Sequence, residues 1–145
     1  MGASRYAHRS FRLFRGVEVN IAADGALECP DPLLAPFEYV VAGVHDRFGL
    51  PVEEQTARLI RALANLRVTV LAHPTGRQMP SVQGCALDME AVLRACARPG
   101  VLVEINANPR RLDLDWRWHC RAVELGCHFC INTDAHAAAD MRHMR

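Results

Sequence analysis

The run VTVLAHP, Val68 to Pro74, joins two unlike things: a β-branched apolar stretch that reads as a buried strand, and an imidazole, His73, at its end. The pattern recurs on both sides. GVEVNI (16 to 21) and YVVAGVH (39 to 45) precede it, and VLVEINA (101 to 107) and HFCINTDAH (128 to 136) follow. Segments of helical period lie between the later runs. VEEQTARLIRALANL places Leu59, Ile60, Leu63 and Leu66 on one side after Pro51, and DMEAVLRACARPG gathers Met89, Val92, Leu93 and Cys96 before a Pro-Gly stop. DLDWRWHCRAVELG predicts a third helix, from an aspartate cap at Asp113 or Asp115 to a terminal glycine, Gly126. Strand-helix-strand repeats of this kind predict an α/β fold with a parallel sheet and crossover helices.

Spacing turns this fold into a site. Glu18 to His45, His45 to His73, His73 to Asn106 and Asn106 to Asp134 are separated by 27, 28, 33 and 28 positions, each close to one βα unit. Every unit therefore delivers a polar side chain to the same level of the sheet. The C-terminal ends of parallel strands form one rim, so Glu18, His45, His73, Asn106, Asp134 and His136 are expected to converge there. Each has a plainer reading alone. A histidine ending a strand can be structural, Asp134 and His136 can cap a helix starting near Ala137, and Glu18 can face solvent. Together those readings require several separate coincidences.

Composition narrows the chemistry. The 145 residues are 50% hydrophobic, enough for one domain with a core, and the formal net charge of +1 argues against binding nucleic acid through a broad basic surface. All 17 positive charges are arginine, so lysine bases, Schiff bases and P-loop lysines are excluded and any anion clamp must be arginine. No apolar run approaches a membrane span and the N-terminus lacks the apolar core of a secretory signal, so the sequence reads as cytoplasmic. The six cysteines show no framework spacing and read as reduced thiols, mostly in the core.

Imidazoles combined with carboxylates suit zinc, manganese or iron, and a carboxylate can bridge two ions. Paired ions lower the pKa of bound water and steady attacking and leaving oxygens at phosphorus, which points to a phosphoesterase. The CHFC string, Cys127 to Cys130, matches a C-x-x-C pattern, but strand positions three apart face opposite ways and cannot chelate together. His8, His119, His128 and His143 read as surface or packing residues, and the C-terminal RHMR as a solvated helix face.

Five strings, GVEVNI, YVVAGVH, LAHPTGR, VLVEINANPRRLDL and INTDAH, resemble the later motifs of the PHP (polymerase and histidinol phosphatase) domain. The resemblance runs from about Phe14 to Arg145. HPTGR and EINANPRRLDL resemble specifically the version at the C-terminus of bacterial family X DNA polymerases. It implies a distorted TIM-like barrel of seven βα units, a trinuclear manganese or zinc centre at the C-terminal rim, and 3′ to 5′ exonuclease or related DNA 3′-end processing. It also implies roles. Glu18 would bridge metals, His45 and His73 would complete the set around the second metal, Asp134 would serve the first and His136 the third. Arg77 and Asn106 would contact substrate or support the ligands.

The sequence departs from that family at its start, where an H-x-H motif and a D-H-S type motif are expected. Neither occurs, and His8 in YAHRS fits neither. The chain therefore reads as one partial PHP domain spanning 1–145, the C-terminal two-thirds of a barrel, with a full protein ligand set for the second metal alone. One tight metal is expected, with reduced catalysis. Exposed edge strands would favour a homo-oligomer or a partner chain. Two other readings stand beside DNA 3′-end processing: a histidinol-phosphate-type small-molecule phosphatase, and an inactive fragment acting as a binding or structural module.

Overall fold

Alternation along each strand sorts the sheet into two unlike faces. The computed structural model describes residues 12–144, so His8 lies outside the described residues. Five strands, β1 (Gly16–Asn20), β2 (Tyr39–Gly43), β3 (Val70–Leu71), β4 (Leu102–Asn106) and β5 (Phe129–Asn132), form one sheet in sequential order. All four pairings are parallel, and the register sets Glu18 beside Val41 and Asn106 beside Asn132. The predicted α/β architecture of parallel βα repeats is the one observed.

One face carries Val17, Val19, Val40, Ala42, Leu71, Val103 and Phe129, all packed into the hydrophobic core. Two helices cover it: α2 (Val52–Leu63) supplies Leu59, Ala62 and Leu63, and α3 (Met89–Ala97) supplies Met89, Val92, Leu93 and Cys96. Fully burying each larger side chain is worth about 1.5–3 kcal/mol, so this face holds the sheet and helices together. The other face is polar. Glu18, Tyr39, Glu104, Asn106, Cys130 and Asn132 alternate with the core positions, and Glu18, Tyr39, Glu104 and Asn132 line open space there.

Helix boundaries follow local signals. Asp88 caps α3 by accepting from Ala91 N at 3.0 Å. Pro51 precedes α2, with Glu53 and Glu54 in its first turn and Arg61 in its last, each complementing the helix dipole. A four-residue helix α1 (Asp31–Leu34), absent from the sequence expectation, seats Leu34 in the core. Beyond β4, Asp115 caps a 3-10 turn, Trp116–Trp118, that leads into α4 (His119–Glu124), and Gly126 closes it at a φ of 86°. Asp113 does not cap; it is fully buried.

Three details differ from the sequence reading. α2 ends at Leu63, leaving Leu66 95% exposed on the following turn, while Ile60 faces outward because Leu59, Ala62 and Leu63 already fill the inward stripe. β5 ends at Asn132, so Asp134 and His136 stand on the loop beyond it. The last segment, Ala138–Met144, is a 3-10 helix, and Asp140 ties its start by accepting from His136 N and Ala137 N.

Candidate metal centre

Three neighbouring strands bring an acid and two imidazoles together. Glu18 projects from the middle of β1, His45 follows β2 by two residues, and His73 follows β3 by two. His45 Nε2 lies 3.1 Å and His73 Nε2 3.2 Å from the same oxygen, Glu18 Oε1. The two rings meet edge to face with centroids 5.0 Å apart. Among the described residues this is the group whose donor atoms all fall within 4.8 Å of one another.

The backbone is shaped for this meeting. His73 takes a φ of 25°, an uncommon conformation for a non-glycine residue that turns the chain sharply at the end of its strand. Gly43 supplies the space: a Cβ there would lie 2.7 Å from His73 Cε1 and 3.2 Å from His45 Cε1, so both rings occupy volume that any side chain at 43 would take. Asn20 steers His45, its Oδ1 accepting from His45 N at 3.1 Å and lying 3.3 Å from Nδ1. Glu104 steers His73, accepting from its backbone N at 2.7 Å. Glu104 is itself held by Asn106 Nδ2 at 3.1 Å and Asn132 Nδ2 at 2.8 Å.

Arg58 binds the loops from behind. This fully buried residue of α2 donates to the carbonyls of Ile21 and Ala22 after β1, to the carbonyl of Asp46 after His45, and to the Asp46 carboxylate at 2.7 Å. One guanidinium thus fixes the chain downstream of both Glu18 and His45.

The electrostatics favour an anionic Glu18. Its carboxyl is held well below the usual carboxylate range, first by the hydrogen bond with His45 and then by that with His73, against the opposing effect of burial. Ions with bonds of about 2.1 Å in tetrahedral or octahedral coordination space their donors by about 3.0–3.4 Å, and the two nitrogen-oxygen separations already match. The residues present therefore fit a divalent cation of the zinc, manganese or iron type.

Asp134 and His136 stand apart from the triad. Asp134 takes a φ of 51°, and its Oδ2 accepts from Arg111 Nε at 2.6 Å. His136 is 81% exposed and points its Nδ1 at the Asp134 carbonyl, 2.8 Å away. Both line a cleft of about 290 Å³ that also contains Glu18, His73, Glu104 and Asn132. They also line a neighbouring cleft of about 560 Å³ with Asn108, Arg110, Arg111 and His143. Arg77 and Asn106 are engaged inside the protein. Arg77 donates to Asp115 at 3.0 Å and to the carbonyls of Arg111 and Leu112, while Asn106 is fully buried between Glu104 and the Asn108 backbone.

The sequence reading missed Asn20, Gly43, Arg58, Glu104, Arg111 and Asn132. Two of these carried a signal: Asn20 is two residues beyond Glu18 and Glu104 two before Asn106, so each shares a strand face with a singled-out residue. The cysteines of CHFC separate as expected. Cys127 Sγ reaches Leu93 O in the core, and Cys130 lies with Tyr39 and Asn132 on the polar face.

Sequence comparison adds the relatives. The chain is 39% identical over 127 residues to the DNA polymerase/3'-5' exonuclease PolX of Bacillus subtilis (strain 168), a match covering 88% of this chain and 22% of that protein. It is 30% identical over 141 residues to a probable phosphatase of Edwardsiella ictaluri (89% of this chain, 54% of that protein) and 37% identical over 98 residues to one of Acetivibrio thermocellus (66% and 38%). The chain thus spans about half the length, or less, of the curated relatives it matches. No family model matches it. These relatives and the parallel sheet bear out the resemblance of this chain to the PHP (polymerase and histidinol phosphatase) domain.

Proposed function

We propose that the chain binds a divalent cation, manganese, zinc or iron, between Glu18, His45 and His73 and acts as a metal-dependent phosphoesterase of the DNA 3′-end-processing type. One observation carries the reading: two imidazole nitrogens from different strands address a single carboxylate oxygen at 3.1 and 3.2 Å. A bound divalent ion supplies Lewis acidity toward a phosphoryl oxygen and acidifies water for attack on phosphorus. The protein's own residues do the rest. Gly43, Asn20 and Glu104 hold the two rings in register, and a cleft of about 290 Å³ opens beside them.

Asp134 and His136 stand at the mouth of that cleft as the donors for further ions. Asp134 is already neutralised by Arg111, so the Glu18 triad is the tight site and additional ions bind more weakly. Arg110 and Arg111, in the adjoining cleft, are the arginines placed to meet a phosphate chain, whereas Arg77 and Asn106 support the loops beneath. The unit is one partial PHP domain. Among the described residues β1 and β5 each pair on one side only, so a second copy or a partner chain extending the sheet belongs to the same reading. No helix is long and apolar enough to cross a membrane among those residues.

Metal-loaded protein offered a 3′-labelled DNA primer and histidinol phosphate separates the readings. Manganese-dependent release of 3′ nucleotides supports the proposal, and phosphate release from histidinol phosphate alone supports the small-molecule phosphatase. Metal uptake without turnover of either supports an inactive binding module. Elemental analysis with the oligomeric mass is the companion measurement: about one ion per chain is expected, and none would remove the case.

A further inference from the structure

Two buried polar atoms near the triad have no partner. His73, 1% exposed, directs Nε2 at Glu18, yet its Nδ1 makes no hydrogen bond. Asp113, fully buried, uses Oδ2 to accept from both the backbone N and the hydroxyl of Thr75 at 2.9 Å, yet its Oδ1 makes none. A buried donor or acceptor left unsatisfied costs about 1–3 kcal/mol, so two together call for an explanation.

The two atoms are chemically complementary and the chain ties them to one place. Thr75 is two residues after His73, on the turn closed by Gly76 N donating to His73 O at 2.7 Å. Asp113 is held against the end of β4, its carbonyl accepting from Asn106 N at 2.6 Å, and its neighbour Leu114 donates to Glu104 O at 3.0 Å. Glu104 in turn receives His73 N. The circuit from His73 through Thr75 to Asp113, and back through Leu114 and Glu104 to His73, leaves the imidazole within the field of the Asp113 carboxylate. An imidazole that offers its Nε2 lone pair to a cation carries its proton on Nδ1, the atom that lacks a partner.

We propose that Asp113 is the positioning residue of the triad, its Oδ1 accepting the Nδ1 proton of His73, directly or through one water, when a cation replaces the proton that Nε2 shares with Glu18. This rests on the metal-centre reading of His73. Carboxylates behind metal-bound histidines orient the ring and raise its basicity, and their loss lowers metal affinity about 10–100-fold. Asparagine at 113 reverses the arrangement. Its Oδ1 must face the two Thr75 donors, so its amide N–H is turned toward Nδ1 and forces the proton onto Nε2.

Long-range nitrogen-proton correlation spectra of the zinc-loaded chain at neutral pH, with the His73 signals assigned through their loss in His73→Gln, read the Nδ1 proton and what accepts it. The expected result is a His73 Nδ1 proton shifted downfield in the unaltered protein, as a carboxylate acceptor requires, its upfield movement or loss in Asp113→Asn, and zinc affinity in that variant lowered about 10–100-fold with its circular dichroism unchanged. An Nδ1 proton without that shift in the unaltered protein overturns the proposal even if Asp113→Asn fails to fold. So does an Asp113→Asn variant that keeps both the shifted proton and zinc affinity. Undiminished zinc affinity in His73→Gln would instead sink the metal-centre reading itself, whatever the spectra show.

Discussion

Replacing Gly43 by alanine adds one methyl group at the point where the two imidazoles converge. That carbon would stand 2.7 Å from His73 Cε1, and restoring ordinary contact at 3.4 Å displaces the ring by about 0.7 Å. His73 has little room to yield, since it is buried and its backbone N is bonded to Glu104. Metal-ligand distances tolerate about 0.2 Å, so the shift is several times larger than a bound ion accepts. An affinity loss of about 10–100-fold, or about 1.4–2.8 kcal/mol, is expected. Stability of the metal-free fold should change less, because overpacking is partly offset by the alanine's lower unfolded-state entropy. Competition against a chromophoric zinc chelator gives the affinity, and urea unfolding of the metal-free protein gives the stability. Gly49→Ala is the control, since nothing lies within 4 Å of a Cβ there. A Gly43→Ala protein that binds zinc as tightly as the control would refute the convergence of the rings on one ion.

Arg58→Met should lower stability by about 3–5 kcal/mol, because it strips a buried cation from the Ile21 and Asp46 carbonyls; urea midpoints measure this, and a loss under about 1 kcal/mol would show that water replaces the guanidinium. For pH, Glu18 is depressed from an ordinary value of 4.5, so its contribution to the metal-free fold is present above that value and fades as acid titrates the folded carboxylate. The gap between the wild-type and Glu18→Gln urea midpoints should narrow below about pH 4.5, and a constant gap down to pH 3 would contradict the pairing. Arg111→Gln removes the partner of Asp134 and should destabilise the metal-free chain while raising the number of manganese ions taken up per chain, read by elemental analysis; unchanged uptake would count against Asp134 as a donor.

Much of the fold was legible because its signals are local. Apolar runs rich in valine, isoleucine or aromatics mark all five strands, and the stripe of Met89, Val92, Leu93 and Cys96 is buried as its period requires. The stripe in α2 was read one turn too far, since Leu66 continues the period after the helix has stopped. The convergence of Glu18, His45 and His73 followed from the unit length of the repeat. What the sequence hid depends on partners far along the chain. Arg77 reads equally as a substrate contact or a support for the ligands until Arg111, Leu112 and Asp115, more than 30 positions away, are seen to occupy it. Asp113 resembles a helix cap until the same fold buries it against Thr75. Gly43 carries no side chain to notice, and its role is visible only once the rings stand beside it.

The triad draws one donor from each of the first three βα units and none from the last two. A cation seated there would act as a rivet through one side of the sheet, adding free energy that grows with the logarithm of ion concentration only to openings that separate β1, β2 and β3. Amide hydrogen exchange should therefore slow along those strands when metal is added and stay nearly level along β4 and β5, so that the molecule hardens unevenly.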